Sequence, residues 1–364
     1  MARIDALLAM MSEKGASDLH LKAGSPPAVR VDGRLVILRD QAVLSADEML
    51  ALAREMLEAR NIESFERGDD IDCAYSVEGI GRFRVNVFRQ RGAVSLTARR
   101  VSSKHLSFAE LGLPEVVQKM ADERRGLVLV TGTAGSGKTT TLGTMIDYIN
   151  HSRHGHIVTI EDPIEIVHDD ALCVIDQREI GIDTTSYADA MRHVVRQDPN
   201  VILIGEMRDA ETVSTALTAA EIGNLVLSTL HTIDATETIN RIIDFYPPYQ
   251  QRQARIMLGA TLRGIVSMRL IPAVGGGLVP AVEALVMNGT IREYILDPEQ
   301  TYKIRDAMNE GEYYGMQTFD QSLIKLLQAG KITVEAGLAT SANSHDFRIK
   351  LRQIGVAVPP VSGA

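Results

Sequence analysis

The sequence predicts an α/β protein in which a small N-terminal α/β domain precedes a larger domain built on an open, mostly parallel sheet. Three observations carry this expectation. At 364 residues the chain exceeds the size that one hydrophobic core usually serves. In the first hundred residues apolar and polar positions alternate along short segments, the mark of strands with one buried and one solvated face. From Leu113 onward, apolar runs alternate with helical stretches, as in a parallel sheet covered on both faces.

Ile4, Leu7, Leu8 and Met11 recur at helical spacing, and Gly15 suits the C-cap of a short opening helix. Leu19 and Leu21 then alternate with Asp18, His20 and Lys22, and Pro26-Pro27 breaks that strand. Val29 and Val31 lead through Asp32-Gly33 to Leu35-Val36-Ile37, a hairpin signature. Ser45 and Glu48 have capping-box spacing before a helix whose buried stripe is Leu50, Ala53, Met56 and Leu57. A second hairpin pattern spans 71–100, turning at Gly79-Ile80-Gly81 and near Gly92. Phe83, Val85 and Val87 share one face there, and Val94, Leu96 and Ala98 share one on the returning strand. Arg84 and Arg99 then fall together on the opposite face, either as a solvated basic surface or as a pair offered to a neighbouring subunit's nucleotide.

The strongest signal is Gly132-Thr133-Ala134-Gly135-Ser136-Gly137-Lys138-Thr139, a complete G-x-x-x-x-G-K-[ST] string entered from the apolar run 126–130. A strand passing through this string into a helix, here expected from Thr140 to Ile149, turns successive backbone N–H groups toward the phosphates of a nucleotide. Lys138 is placed to reach the β- and γ-phosphates and Thr139 to offer its hydroxyl to Mg2+, which makes ATP and Mg2+ the expected substrate and cofactor.

Three further strands, 157–160, 201–204 and 225–230, are expected beside it, and ligands of such sheets bind at the carboxyl ends of strands. Those ends carry Glu161-Asp162-Pro163, Gly205-Glu206 and His231-Thr232. A carboxylate beside a triphosphate is unfavourable unless it serves Mg2+, directly or through water, or takes a proton from attacking water. Glu206 and Glu161 are therefore the catalytic candidates, their roles interchangeable at this stage. His231 is either a hydrogen-bonded structural residue or a sensor of the γ-phosphate.

Bulk properties narrow the choices. A net charge of −9, 4% aromatic residues and no Trp disfavour sequence-independent nucleic-acid binding. The apolar runs are too short to cross a bilayer, and the start Met1-Ala2-Arg3-Ile4-Asp5 carries no secretory pattern, which leads us to expect a cytoplasmic protein without a transmembrane segment. Cys73 and Cys173 are too few for a disulfide framework or a cysteine zinc site.

The four boxes, with Thr-Ile-Glu-Asp-Pro-Ile-Glu at 159–165, Asp-Pro-Asn-Val-Ile-Leu-Ile-Gly-Glu-Met-Arg-Asp at 198–209 and Ser-Thr-Leu-His-Thr at 228–232, resemble the Walker A, Asp box, Walker B and His box of type II/IV secretion ATPases. Within these the chain looks most like the type IV pilus retraction motors, the PilT family. Gly-Ala-Ser-Asp-Leu-His-Leu at 15–21, Arg-Phe-Arg-Val-Asn at 82–86 and Gly-Met-Gln-Thr-Phe-Asp at 315–320 extend the likeness over nearly the whole chain. Two segments depart from the pattern. Thr133-Ala134 replaces a frequent Pro-Thr, and Thr290-Ile291-Arg292-Glu293-Tyr294-Ile295 matches the retraction segment Ala-Ile-Arg-Asn-Leu-Ile only at Ile291, Arg292 and Ile295. The ending 318–351 is similar to the accessory retraction ATPase, PilU.

The resemblance implies a PAS-like N-terminal domain over 1–100, a linker over 101–112, a RecA-like P-loop ATPase core over 113–285 and a helical C-terminal region over 286–364. It also implies a homohexamer with nucleotide sites between subunits, where Arg84 and Arg99 approach the γ-phosphate. The implied partners are an inner-membrane platform protein of the pilus and a paralogous pilus ATPase, met at the cytoplasmic face of that membrane. A short N-terminal region and the lack of a four-cysteine insertion point to retraction rather than extension. Two rivals remain at this stage, a nucleotide-gated binding module with little turnover and a DNA translocase.

Overall fold

Alternation in the first hundred residues becomes a six-stranded, wholly antiparallel sheet. Its strands are β1 (Asp18–Lys22), β2 (Ala28–Val31), β3 (Arg34–Ile37), β4 (Ile71–Val77), β5 (Gly81–Gln90) and β6 (Ala93–Arg100), in the order β3-β2-β1-β6-β5-β4. The structure, a computed structural model, describes residues 3–31, 33–102 and 105–358; Asp32 of the expected hairpin turn lies outside them. Leu19, Leu21, Phe83, Val85, Val87, Leu96 and Ala98 bury one face of this sheet against Ile4, Leu8 and Met11 of helix Arg3–Glu13 and Met49 and Leu52 of helix Ala46–Met56. The capping box is present in full, with Ser45 N–H donating to Glu48 and Glu48 N–H donating to Ser45. Helix Ala59–Arg67 was not expected from the sequence. It spans nine residues and has no side-chain cap at Glu58, so it carries no start signal to read, although Ile62 and Phe65 share a face against the core.

The larger sheet contains β7 (Gly126–Thr131), β8 (Gly155–Glu161), β9 (Cys173–Glu179), β10 (Val201–Ile204), β11 (Leu225–Leu230), β12 (Leu262–Pro272) and β13 (Leu278–Val286). Their order is β13-β12-β7-β11-β10-β8-β9, parallel throughout except for β13 on β12. The four expected strands are the four contiguous central ones, because only strands buried on both faces read as unbroken apolar runs. Successive residues of β7 go to opposite sides: Leu127 and Leu129 join one apolar cluster, Val128 and Val130 the other. Edge strand β9 is half polar, and β12 follows helix Pro248–Thr261 with no intervening loop, so neither carries a clear strand signature. Beyond β13, helices Gly289–Leu296, Ile304–Glu310, Phe319–Gln328, Val334–Thr340 and Ser344–Gln353 follow. Phe319, Leu323 and Phe347 pack there on Ile271, Val279 and Ala281 of the β12–β13 hairpin.

Two units result. One comprises Met1–Lys104 with Glu165–Val167; the other comprises His105–Ile164 with His168–Ala364. The break after Lys104 falls within the segment read as a linker. No described helix is long and apolar enough to cross a membrane.

One buried acid leaves a measurable signature. Glu283 on β13 is 6% exposed, accepts N–H bonds from Ala235 (3.0 Å) and Phe319 (3.4 Å), and burial nevertheless pushes its carboxyl up from 4.5 to about 7. Between those values the folded chain holds the proton and the unfolded chain releases it, so this site favours folding at low pH and loses that advantage as pH rises toward 7. Urea melts at about pH 5 and about pH 8 are expected to differ by about 3 kcal/mol through this group. Glu283→Gln should remove that part of the pH dependence.

Candidate active site

Strands β7, β8, β10 and β11 are parallel neighbours, so their carboxyl ends share one sheet edge, and each delivers a chemical group there. At the end of β7, Thr131 is buried and donates its hydroxyl to Ser267 on β12 at 2.9 Å. Gly132 follows with φ 141°, and a Cβ there would lie 2.5 Å from both the Met268 carbonyl oxygen and Ser136 Oγ. Only glycine lets the chain turn so close to β12. Gly132→Ala is therefore expected to destabilise the protein by about 1–3 kcal/mol, read in a denaturant melt.

Gly137 (φ 97°) is the N-cap of helix Lys138–Ser152, which corrects the expected start at Thr140 by two residues. The αL conformation that only glycine takes cheaply lets the helix begin directly at Lys138. Lys138 and Thr139 thus root in its first turn, where backbone N–H groups lack intrahelical acceptors. Thr133, Ala134, Gly135, Thr139 and Thr140 are exposed, whereas Ser136 Oγ is buried without a hydrogen-bond partner. A cradle that excludes any Cβ at Gly132, an orphaned hydroxyl at Ser136 and a free first turn fit a phosphate chain, and the exposed Thr139 hydroxyl fits an Mg2+ ion beside it.

The charged groups converge. Lys138 Nζ donates to the carbonyls of Gly132 (2.8 Å) and Thr133 (3.0 Å) and lies 3.5 Å from His231 Nδ1. His231 Nε2 lies 3.4 Å from Glu206 Oε1, so one imidazole at the end of β11 spans the gap between the P-loop lysine and the acid after β10. The second Glu206 oxygen accepts from Arg208 Nε at 2.7 Å, and Arg208 Nη1 lies 3.8 Å from Asp162 Oδ2. Strand ends are tied together beneath these groups, Gly205 N–H donating to Ile160 and Thr229 Oγ1 to the Gly205 carbonyl.

Glu161 has a different setting. It is 9% exposed and accepts from the neutral donors Thr159 Oγ1 (2.7 Å) and Gln177 Nε2 (3.2 Å). The glutamate after β10 is thus held by the Arg208 guanidinium and the His231 ring at the open edge, while the one ending β8 is more buried and accepts from a hydroxyl and an amide.

Two residues of this edge had no role assigned from the sequence. Arg208 stands within the Walker B string, but its hold on Glu206 depends on how the loop after β10 turns. Tyr187 opens helix Tyr187–Val194, and a Cβ on Gly205 would sit 2.8 Å from its hydroxyl. Burial first, then the charge of Asp162, pushes that phenol up, so it stays a neutral donor among the carboxylates. An aromatic residue in a helix's first turn reads as core, and no spacing singles it out.

Arg84 and Arg99 belong to the other unit and are direct cross-strand partners on β5 and β6. Arg99 Nε donates to Asp18 Oδ1 at 2.7 Å, and Arg30 Nε lies 3.5 Å from Asp18 Oδ2. Burial pushes the Asp18 carboxyl up, but the Ser17 hydroxyl and the two guanidinium groups outweigh it and hold the carboxyl low. Arg84 is exposed and has no ion pair among the described residues.

Comparisons with known proteins agree with this layout. The family model of the type II/IV secretion system protein matches residues 2–305. The type IV pilus retractation ATPase PilT of Pseudomonas aeruginosa is 42% identical over 332 residues, 91% of this chain and 96% of that protein. The type IV pilus ATPase PilU of the same organism is 37% identical, over 95% of this chain and 90% of its own length. The crystal structure of the pilus retraction motor PilT with bound ADP superposes with a TM-score of 0.87 at 44% identity, covering 95% of this chain and 99% of that one. With a shared sheet edge, the same ordered boxes and this extent of identity, the chain belongs to the type II/IV secretion ATPase family, in its pilus retraction branch.

Proposed function

We propose that the protein is an ATP-hydrolysing motor that withdraws type IV pili and so powers twitching motility, working as a homohexamer. The observation that carries this reading is the continuous contact from Lys138 through His231 to Glu206 at one sheet edge. The P-loop amides and Lys138 bind the phosphates; in doing so the lysine exchanges its two carbonyl acceptors for phosphate oxygens. Glu206 orients the attacking water and accepts its proton, while Arg208 and His231 fix the carboxylate's direction. His231, touching both Lys138 and Glu206, registers whether a γ-phosphate is present. Glu161 would support the water or the metal. Mg2+, held by Thr139 and through water by Glu206, would supply charge neutralisation between the β- and γ-phosphates.

Arg84 and Arg99 compensate phosphate charge from a neighbouring subunit. The cytoplasmic face of the inner membrane, a pilus platform protein and a paralogous pilus ATPase complete the setting; the 37% identity to a PilU makes an accessory motor the alternative within this reading. Steady-state phosphate release tests the enzyme. ATP binding without turnover, alone or with partners, would leave a nucleotide-gated module, and DNA-stimulated turnover with steep salt dependence would leave a translocase. Deletion of the gene tests the role: unaltered pilus withdrawal, once paralogues are also removed, would refute it.

A further inference from the structure

Away from the nucleotide edge, the second unit gathers His105, Asp147 and His168, with one ligand atom of each within 4.8 Å of the others. Asp147 lies in the middle of helix Lys138–Ser152, the helix that leaves the P-loop. His105 opens this unit where the chain leaves the first, and His168 resumes it after the three-residue excursion Glu165–Val167. The two imidazoles stack with centroids 4.7 Å apart and planes at 26°. His105 Nδ1 is 3.9 Å from Asp147 Oδ1. Nδ1 of both histidines is buried and has no hydrogen-bond partner.

Two buried imidazole nitrogens without a hydrogen-bond partner, on stacked rings beside a carboxylate, are costly unless something binds them. We propose that His105, Asp147 and His168 bind a divalent transition-metal ion of the zinc class, which pins the segment opening the second unit to the P-loop helix.

Two nitrogen donors and one oxygen suit zinc, whereas Mg2+ prefers oxygen alone. Tetrahedral bonds of about 2.0–2.1 Å set ligand atoms about 3.4 Å apart, so side-chain rotations of about an ångström close the site. The fourth position falls to water, since His151 Nδ1, 3.4 Å from Asp147 Oδ1, is engaged by the Asp147 carbonyl at 2.9 Å. The pinned segments are neighbours on the other side of the boundary as well, since Val167 N–H donates to the Ser102 carbonyl at 3.0 Å.

The test is calorimetric titration of chelator-treated, nucleotide-free protein with Zn2+ alone. One saturable site per chain is expected, undisturbed by millimolar Mg2+, with a rise in Tm of about 5 °C or more at saturation. Asp147→Asn and the pair His105→Gln with His168→Gln should each weaken binding by about 100-fold or more. His193→Gln, in a comparable exposed histidine–carboxylate contact, should leave it unchanged. If the histidine pair fails to fold by circular dichroism, Co2+ on the unaltered protein decides: intense visible bands of a tetrahedral nitrogen–oxygen site support the proposal. Absence of saturable uptake, uptake unaltered in Asp147→Asn, displacement by Mg2+, or only the weak bands of octahedral Co2+ would overturn it.

Discussion

Glu206→Gln is expected to lower the turnover number about 10²- to 10⁴-fold, with ATP affinity held within a few-fold. Glutamine keeps the shape and an acceptor for Arg208 but cannot take a proton from water. Lys138 and the P-loop amides, the groups proposed to hold the phosphates, are untouched by the change. Phosphate release under saturating ATP, paired with binding of a fluorescent nucleotide, separates the two effects. Equal losses in both would assign Glu206 to binding, and a loss below about tenfold would remove it from the proton transfer. Glu161→Gln provides the contrast. Its carboxylate is buried and bonded to Thr159 and Gln177, so a comparable loss there, with Glu206→Gln mild, would exchange the roles of the two acids.

Arg84→Ala should cost still more, about 10³- to 10⁵-fold in turnover, the range seen when a charge-compensating arginine is withdrawn from phosphoryl transfer. The structure selects Arg84 over Arg99 for this experiment. Removing Arg99 strips the buried Asp18 of its 2.7 Å cationic partner and leaves the Ser17 hydroxyl and Arg30 at 3.5 Å, which mixes a folding defect into the kinetics. Arg84 has no such duty among the described residues, so its loss reads cleanly. If it acts across a subunit boundary, mixing Arg84→Ala with Glu206→Gln protein restores turnover, because some sites then receive an intact arginine and an intact acid. No recovery at any ratio, with co-assembly established by size and cross-linking, would place the arginine elsewhere.

The parts of this fold that were legible in the sequence are those written in local pattern. Alternation located β1, β5 and β6 and put Arg84 and Arg99 on one face, while their direct pairing across β5 and β6 came only with the register. Apolar runs located the four central strands, and with them the edge where Lys138, Glu161, Glu206 and His231 stand. The strands left unread, β9, β12 and β13, are outer ones: β9 is half polar, β12 runs on from a helix without a break, and β13, though buried on both faces like β12, is interrupted by Pro280 and Glu283.

Which groups touch was another matter. Lys138 and His231 are 93 positions apart, and Arg99 and Asp18 are 81 apart. The first pair meets because β7 and β11 lie side by side in parallel, the second because β1 and β6 pair antiparallel, and strand order is a consequence of how the whole chain packs. Tyr187 over Gly205 and the histidine pair on Asp147 likewise join residues far apart in the chain, whereas Arg208 on Glu206 is set by the turn of the loop after β10. The sequence by itself determined which residues stand at strand ends, since periodicity and the P-loop string are local properties of the chain. Only the tertiary structure decided their partners, because a contact between distant residues exists only once the sheet has closed on its own strand order.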